Sequence, residues 1–195
     1  MGIVWVAIAG FANILAYFQQ GADPATALNI LPNAPPDLFL KLEWLPDAPN
    51  SGRVLDAYNR QQVEIAYEWA WAQWNISYLR KAPYGIGTYF TEPALKAVRQ
   101  SITDAAKQGL QINQVNTAHQ LRVNFYSADG NLLSLTDEAA DISSIIRDAS
   151  GTVIFTGDTL ATYDMILLQQ EGRWQIRDFV RRQAKSTDNA KPILP

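Results

Sequence analysis

The chain has 195 residues, 48% of them hydrophobic and only 18% charged, with a formal net charge of -3. That is room for one ordinary domain with an appendage, and the charge fraction falls below the roughly 25% usual for globular proteins. The charge balance offers nucleic acid no general attraction, the lack of Cys excludes disulfides and thiolate chemistry, and a single His excludes a multi-His metal centre, so no metal or cofactor is expected.

No charged residue precedes Asp23, and Ile3 to Phe18 reads IVWVAIAGFANILAYF, with Asn13 its one strongly polar side chain. Residues 1–20 are long enough to span a bilayer, close to the lower limit of about 17 apolar residues. Trp5 and Tyr17 lie near the two ends, where amphipathic rings favour the interface, while Phe11 and Phe18 add bulk for lipid. A secretory signal would carry a basic start and a small-x-small cleavage site, and neither is evident. The expectation is a single-pass anchor; a helix buried in a protein assembly and an uncleaved signal remain open alternatives. Asp23 and Asp37 follow and nothing positive precedes, which favours a domain outside the cytoplasm.

Residues 21–55 read as a connector punctuated by Pro24, Pro32, Pro35, Pro36, Pro46 and Pro49, so no long helix can run through it. Within 37–45, Leu38, Leu40, Leu42 and Trp44 alternate with Phe39, Lys41 and Glu43. That period of two predicts a short extended segment lying on something apolar.

A domain over residues 56–185 follows. Asn59 and Gln62 resemble a capping box, opening a helix that runs to about Arg80 and stops before Pro83 and Gly85. Val63, Tyr67, Ala70, Trp71, Trp74 and Tyr78 cluster on one face; Ile65, Trp69, Ala72 and Ile76 form a second stripe roughly opposite. A helix on a sheet needs one apolar stripe, so the second must meet the 37–45 segment or another subunit. A further helix, capped by Thr91 with Pro93 in its first turn, buries Leu95, Val98 and Ile102 and ends at Gly109.

From Leu110 to Arg182 the chain reads as long antiparallel strands joined at Asp129-Gly130, Ser150-Gly151 and Glu171-Gly172. His119, Leu121, Val123 and Phe125 fall on one face. Polar Asp137, Glu138 and Asp141 interrupt the next strand and suggest a bulge in a solvated stretch. In the last strand Trp174, Ile176, Asp178 and Val180 share one face, and Arg173, Arg177, Phe179 and Arg181 the other. Residues 186–195 are a polar tail.

The ending, Gln170-Glu171-Gly172-Arg173-Trp174-Gln175-Ile176-Arg177-Asp178-Phe179, resembles the closing hairpin of the nuclear transport factor 2-like superfamily. Members commonly end in a polar Gly turn, a Trp, an Ile and a polar-aromatic pair. The resemblance covers about 56–182 and implies an α+β cone, helices packed on a curled antiparallel sheet. The superfamily holds ketosteroid isomerases, dehydratases, polyketide cyclases, transport adaptors and secretion scaffolds, so the fold does not select a function. A membrane helix ahead of such a domain is similar in architecture to the periplasmic scaffold subunit of type IV secretion systems, though that family's Asn-Pro-x-Gly turn is missing.

In the enzymes of the superfamily the acid–base residues point into the cone. If the faces above are concave, the resemblance implies His119 and Asp178 as an acid–base pair, with Tyr67 or Tyr78 as an oxyanion donor. One bulge would reverse this register. Arg173, Arg177 and Arg181 make a basic stripe suited to an acidic partner or lipid phosphates, or simply to guarding an exposed sheet face. The leading expectation is a non-enzymatic, membrane-associated scaffold that binds other subunits or itself through Ile65, Trp69, Ala72, Ile76 and the arginine stripe. The runner-up is an isomerase- or dehydratase-like cone using His119, Asp178 and Tyr67. Deleting residues 1–20 should free the chain from detergent; a full chain that is a soluble monomer in plain buffer would rule out both anchor and assembly.

Overall fold

Alternating apolar and polar residues over 111–182 cannot satisfy a helix, and they form four long antiparallel strands instead. The computed structural model describes residues 40–182. The anchor expected over 1–20, most of the connector and the tail lie outside the described residues. Among the described residues, no helix is long and apolar enough to cross a membrane.

The elements in order are β1 (Lys41–Trp44), α1 (Ala57–Arg80), a short 3-10 turn (Ile86–Thr88), α2 (Ala94–Lys107), β2 (Gln111–Tyr126), β3 (Leu132–Arg147), β4 (Val153–Gln170) and β5 (Arg173–Arg182). The sheet has five strands in the order β1-β2-β3-β4-β5. β1 runs parallel to β2, with Leu42 opposite His119 and Trp44 opposite Leu121. The remaining pairs are antiparallel. The alternating segment of the connector is therefore a strand of the main sheet, and the folded unit begins by Leu40, which is buried.

α1 starts at Asp56, not Asn59. The Asp56 carboxylate accepts the Asn59 backbone N–H at 2.9 Å, satisfying one of the unpaired amides of the first turn. The helix stops where Lys81 adopts a left-handed conformation with φ 55°. α2 begins after Pro93 and ends at Gln108, with Gly109 at φ 72° turning the chain into β2. Both helices lie on the same side of the sheet. Val63, Ala66, Tyr67, Ala70 and Trp71 of α1 and Val98 and Ile102 of α2 meet Leu121, Val123, Leu133, Leu135, Met165, Leu167, Trp174 and Ile176 in one core.

Among the described residues five bulges interrupt simple alternation, one of them at Thr117 in β2 and one at Ile154 in β4, and the other three change the faces expected for the site. β2 carries an extra residue between Val123 and Phe125, so Tyr126 turns into the core and Phe125 is left 45% exposed. β3 carries one between Asp137 and Ala140. β5 carries one between Ile176 and Asp178, so Phe179 rather than Asp178 continues the inward face of Trp174 and Ile176. Each is a one-residue insertion that reverses every side chain beyond it.

β1 reaches α1 through Trp44. Its indole N–H donates to Glu64 at 2.5 Å, and its ring lies under the Arg60 guanidinium at 4.7 Å. One turn after Glu64, the half-buried Glu68 is pushed up to about 7 by desolvation, helped by the charge of Glu64. The folded state then holds this proton more tightly than the unfolded chain, where the group titrates near 4.5. The stabilising contribution is present below that value and is lost as pH rises through about 7. Glu68→Gln should flatten the fall in Tm over that window and add about 1 kcal/mol of stability above it, a figure discounted for partial exposure. Thermal melts at stepped pH measure both.

Candidate functional site

Leu133, Leu135 and Asp137 have the same parity on β3, so the pleat that buries the two leucines also buries the acid. The β3 bulge follows Asp137 immediately. It bends the backbone so that the Ala139 N–H donates back to Oδ1 of Asp137 at 3.3 Å, and the Gln120 N–H of β2 donates to the same oxygen at 3.2 Å. The other oxygen, Oδ2, lies 2.5 Å from Nδ1 of His119 and accepts the Tyr67 hydroxyl at 2.6 Å. Tyr67 Oη is itself 2.7 Å from the same His119 nitrogen. His119, Tyr67 and Asp137 are each 0% exposed.

A buried carboxylate is tolerable only when its lone pairs are taken up, and here four groups point at it. Facing a carboxylate, Nδ1 carries the imidazole proton. That fixes the tautomer and the ring orientation and leaves Nε2 with the free lone pair; Nε2 is buried without a hydrogen-bond partner. The Tyr67 phenol is pushed well above its usual range, first by burial and then by the Asp137 charge. Tyr67 is therefore a neutral hydrogen-bond donor, not a phenolate. The geometry available to the trio is that of an imidazole oriented by a carboxyl group, the arrangement a general base uses, enclosed in protein.

Aromatic rings fill the space beside it. Trp71 meets the His119 ring edge-on at 5.2 Å and stacks with Trp74 at 5.3 Å. Phe179 lies 5.5 Å from both tryptophans and stacks on Tyr163 at 4.5 Å. Phe179 reaches this cluster because of the β5 bulge. Two surface hollows, of about 420 Å³ between the end of α1 and the start of β2 and about 310 Å³ on the outer sheet face near Val115 and Asp158, include none of the trio.

The structure brings together His119 and Tyr67 but not Asp178. Asp178 sits opposite Ile166, and its carboxylate accepts the N–H of Phe179 at 2.9 Å. Tyr78 donates to Ser101 of α2 at 3.1 Å and is not part of the trio. The stretch expected to be solvated divides: Asp137 is in the core, Glu138 pairs with Arg122 at 2.6 Å, and Asp141 stands opposite Leu160. Among the described residues no group of three or more His, Cys, Asp or Glu is placed to hold a metal.

The arginine stripe is also divided by the β5 bulge. Arg173, Arg177 and Arg181 are all exposed, and Arg181 stands opposite Tyr163, on the face that carries Phe179. The neighbouring Arg182 forms an ion pair with Asp164. On α1, Ile65, Trp69 and Ala72 are half-buried, Trp69 packing against the edge of the core, and Ile76 is 36% exposed. β1 contacts the helix at Arg60 and Glu64, on its flank, rather than over this stripe.

No family model and no curated protein matches the chain. Solved structures resemble it. The intermembrane-space region of the chloroplast protein ARC6 is 18% identical, with 67% of this chain and 98% of that one covered and a TM-score of 0.47. A candidate scytalone dehydratase from Novosphingobium aromaticivorans is 14% identical, covering 64% and 87%, with a TM-score of 0.45. A candidate dehydratase of the NTF2-like family from Streptomyces avermitilis is 13% identical, covering 63% and 95%, at 0.41. By the chain's own course, two helices on one side of a curled sheet, the order β1 to β5 and the closing hairpin make an α+β cone. This is the nuclear transport factor 2-like fold. Within that fold the trio occupies the inside of the cone, and the likeness extends to the course of the chain and no further.

Removing one member of a buried charged network leaves the others unsatisfied. Asp137→Ala should destabilise the domain by about 3–5 kcal/mol, whereas Tyr67→Phe, which deletes a single hydroxyl, should cost about 1–3 kcal/mol. Denaturant melts of the two variants give the ranking.

Proposed function

We propose that the chain is a non-enzymatic, membrane-associated assembly protein, anchored through residues 1–20, whose cone binds another protein subunit outside the cytoplasm. The observation that carries this reading is the filled interior. Trp71, Trp74, Tyr163 and Phe179 are in mutual contact in the space where a substrate would have to enter, and His119, Tyr67 and Asp137 have no exposed surface. The contact with the partner is the α1 stripe of Ile65, Trp69, Ala72 and Ile76, continued by Leu79, which is 60% exposed. Large apolar side chains left exposed on a helix are the kind of surface that protein partners cover. Arg173 and Arg177 supply charge elsewhere on the domain for an acidic partner.

A second reading, a ligand-binding or acid–base cone of the isomerase or dehydratase kind, is favoured by one observation: Nε2 of His119 and Nε1 of Trp74 are both buried beside the same ring cluster without partners. It would use His119 and Tyr67 with Asp137 in the place expected for Asp178.

Ile76→Glu tests the leading reading. At a partly exposed helix position the change should alter stability by no more than about 0.5 kcal/mol. Association of the full chain with its partner, or with itself, should weaken at least tenfold by co-purification or light scattering. Unchanged association would remove the stripe as the contact.

A further inference from the structure

Among the described residues, which end at Arg182, β5 covers β4 from Thr162 onward, where Thr162 stands opposite Arg182. Among the described residues, the segment 153–161 of β4 therefore has β3 on one side and no strand on the other. It is also the most apolar exposed edge: Ile154 is 56% exposed, Phe155 45% and Leu160 63%. Open edges carry a row of unpaired backbone N–H and C=O groups and invite another strand.

The direction of these groups is fixed. Gln169 N–H donates to Asn131 O, on the β3 side. In an antiparallel ladder successive residues alternate between neighbours, so from Phe155 on the odd positions of β4 serve β3 and the even ones, Thr156, Asp158 and Leu160, face the open edge; Ile154 is the extra residue of a bulge opposite Ile146 and Arg147 and ends this alternation. A second copy can pair there antiparallel only in registers that set even residues opposite even residues. Centred on Thr156, the pairing leaves Asp158 facing the bulged, apolar Ile154. Centred on Asp158, it sets two like charges face to face, which is destabilising. Centred on Gly157, it places Thr156 against the partner's Asp158 on both sides of the axis, with no like-charge pair, and brings Leu160 to the apolar bulge at the partner's Ile154. Gly157 then meets the partner's Gly157 at the two-fold axis, in the close, non-hydrogen-bonded position where the absence of a side chain lets the backbones approach.

We propose that the β4 edge at 153–161 pairs with the same edge of a second copy about a two-fold axis at Gly157, joining two sheets into one. Such a contact is isologous and closes as a dimer. It is separate from the α1 stripe, so losing one contact leaves the other readable. The competing occupant is the chain's own residues 183–195, which continue from Arg182. Carried on in the β5 register, they would set only Ala184 and Ala190 against Leu160 and Ile154, a poorer match than the leucine and isoleucine of a second copy.

The chain has no cysteine, so a single introduced one reports cleanly. A Cβ at Gly157 would meet nothing closer than the Phe155 ring at 3.5 Å, an ordinary contact. Gly157→Cys in the full chain should give a disulfide-linked dimer under mild oxidation, with at least tenfold more linked product than Ala128→Cys in the exposed turn after β2. Thr156→Pro, which removes an edge-facing N–H and leaves the β3 ladder intact, should abolish dimer by light scattering while circular dichroism stays unchanged. Ile154→Lys provides the same reading should the proline disturb folding. A monomeric, folded full chain whose Gly157→Cys variant links no more than the control overturns the proposal. So does linking that occurs only after residues 183–195 are removed, which would assign the edge to the chain's own end.

Discussion

The structure depends on one buried carboxyl group. Asp137 sits in the core with no exposure, and so polar a side chain is bearable there only because the Tyr67 hydroxyl, the His119 imidazole and two backbone amides converge on it. Those donors come from α1, β2 and the β3 bulge. The single contact therefore holds the long helix over the sheet and fixes where the bulge falls. The surrounding apolar core supplies the driving force for collapse but would tolerate the helix at several offsets. The hydrogen bonds to Asp137 single out one.

The aromatic cluster follows from the same placement. With His119 held against Trp71, the two stacked tryptophans occupy the space between α1 and the far strands, and the β5 bulge delivers Phe179 to close it. A cone of this fold is able to hold a ligand. Here the rings of Trp71, Trp74, Tyr163 and Phe179 lie beside the buried trio, and exposed apolar side chains stand on α1 at Ile76 and Leu79 and along the first half of β4.

Much of this was legible in the sequence. Hairpin turns, helix ends and the Trp174 hairpin gave an α+β cone, and Tyr67 and His119 were singled out as inward-facing. Asp137 does not stand out in the sequence, because Glu138 and Asp141 beside it give the stretch a solvated look. Yet its parity with Leu133 and Leu135 was the better signal, since a pleat buries position by position rather than by neighbourhood. Asp178 and the arginine stripe were misplaced for a different reason. A bulge is a local accommodation to twist and closure by neighbouring strands, so nothing within Trp174–Arg182 announces that one residue is extra at Arg177. Simple alternation then carries an error to every residue beyond.

β1 has a mechanical meaning. The segment upstream of Leu40 enters the fold through a strand that runs parallel to β2, with Leu42 in register with His119. The connection continues through Leu45 N–H to Leu121 O and Ala48 N–H to Val123 O, both 2.8 Å. A pull on the chain along this strand loads those bonds together, in shear, rather than opening them one at a time. The first strand that such a pull would strain is thus the one lying beside the histidine at the centre of the buried network, so a force applied at Leu40 would act on the interior of the cone.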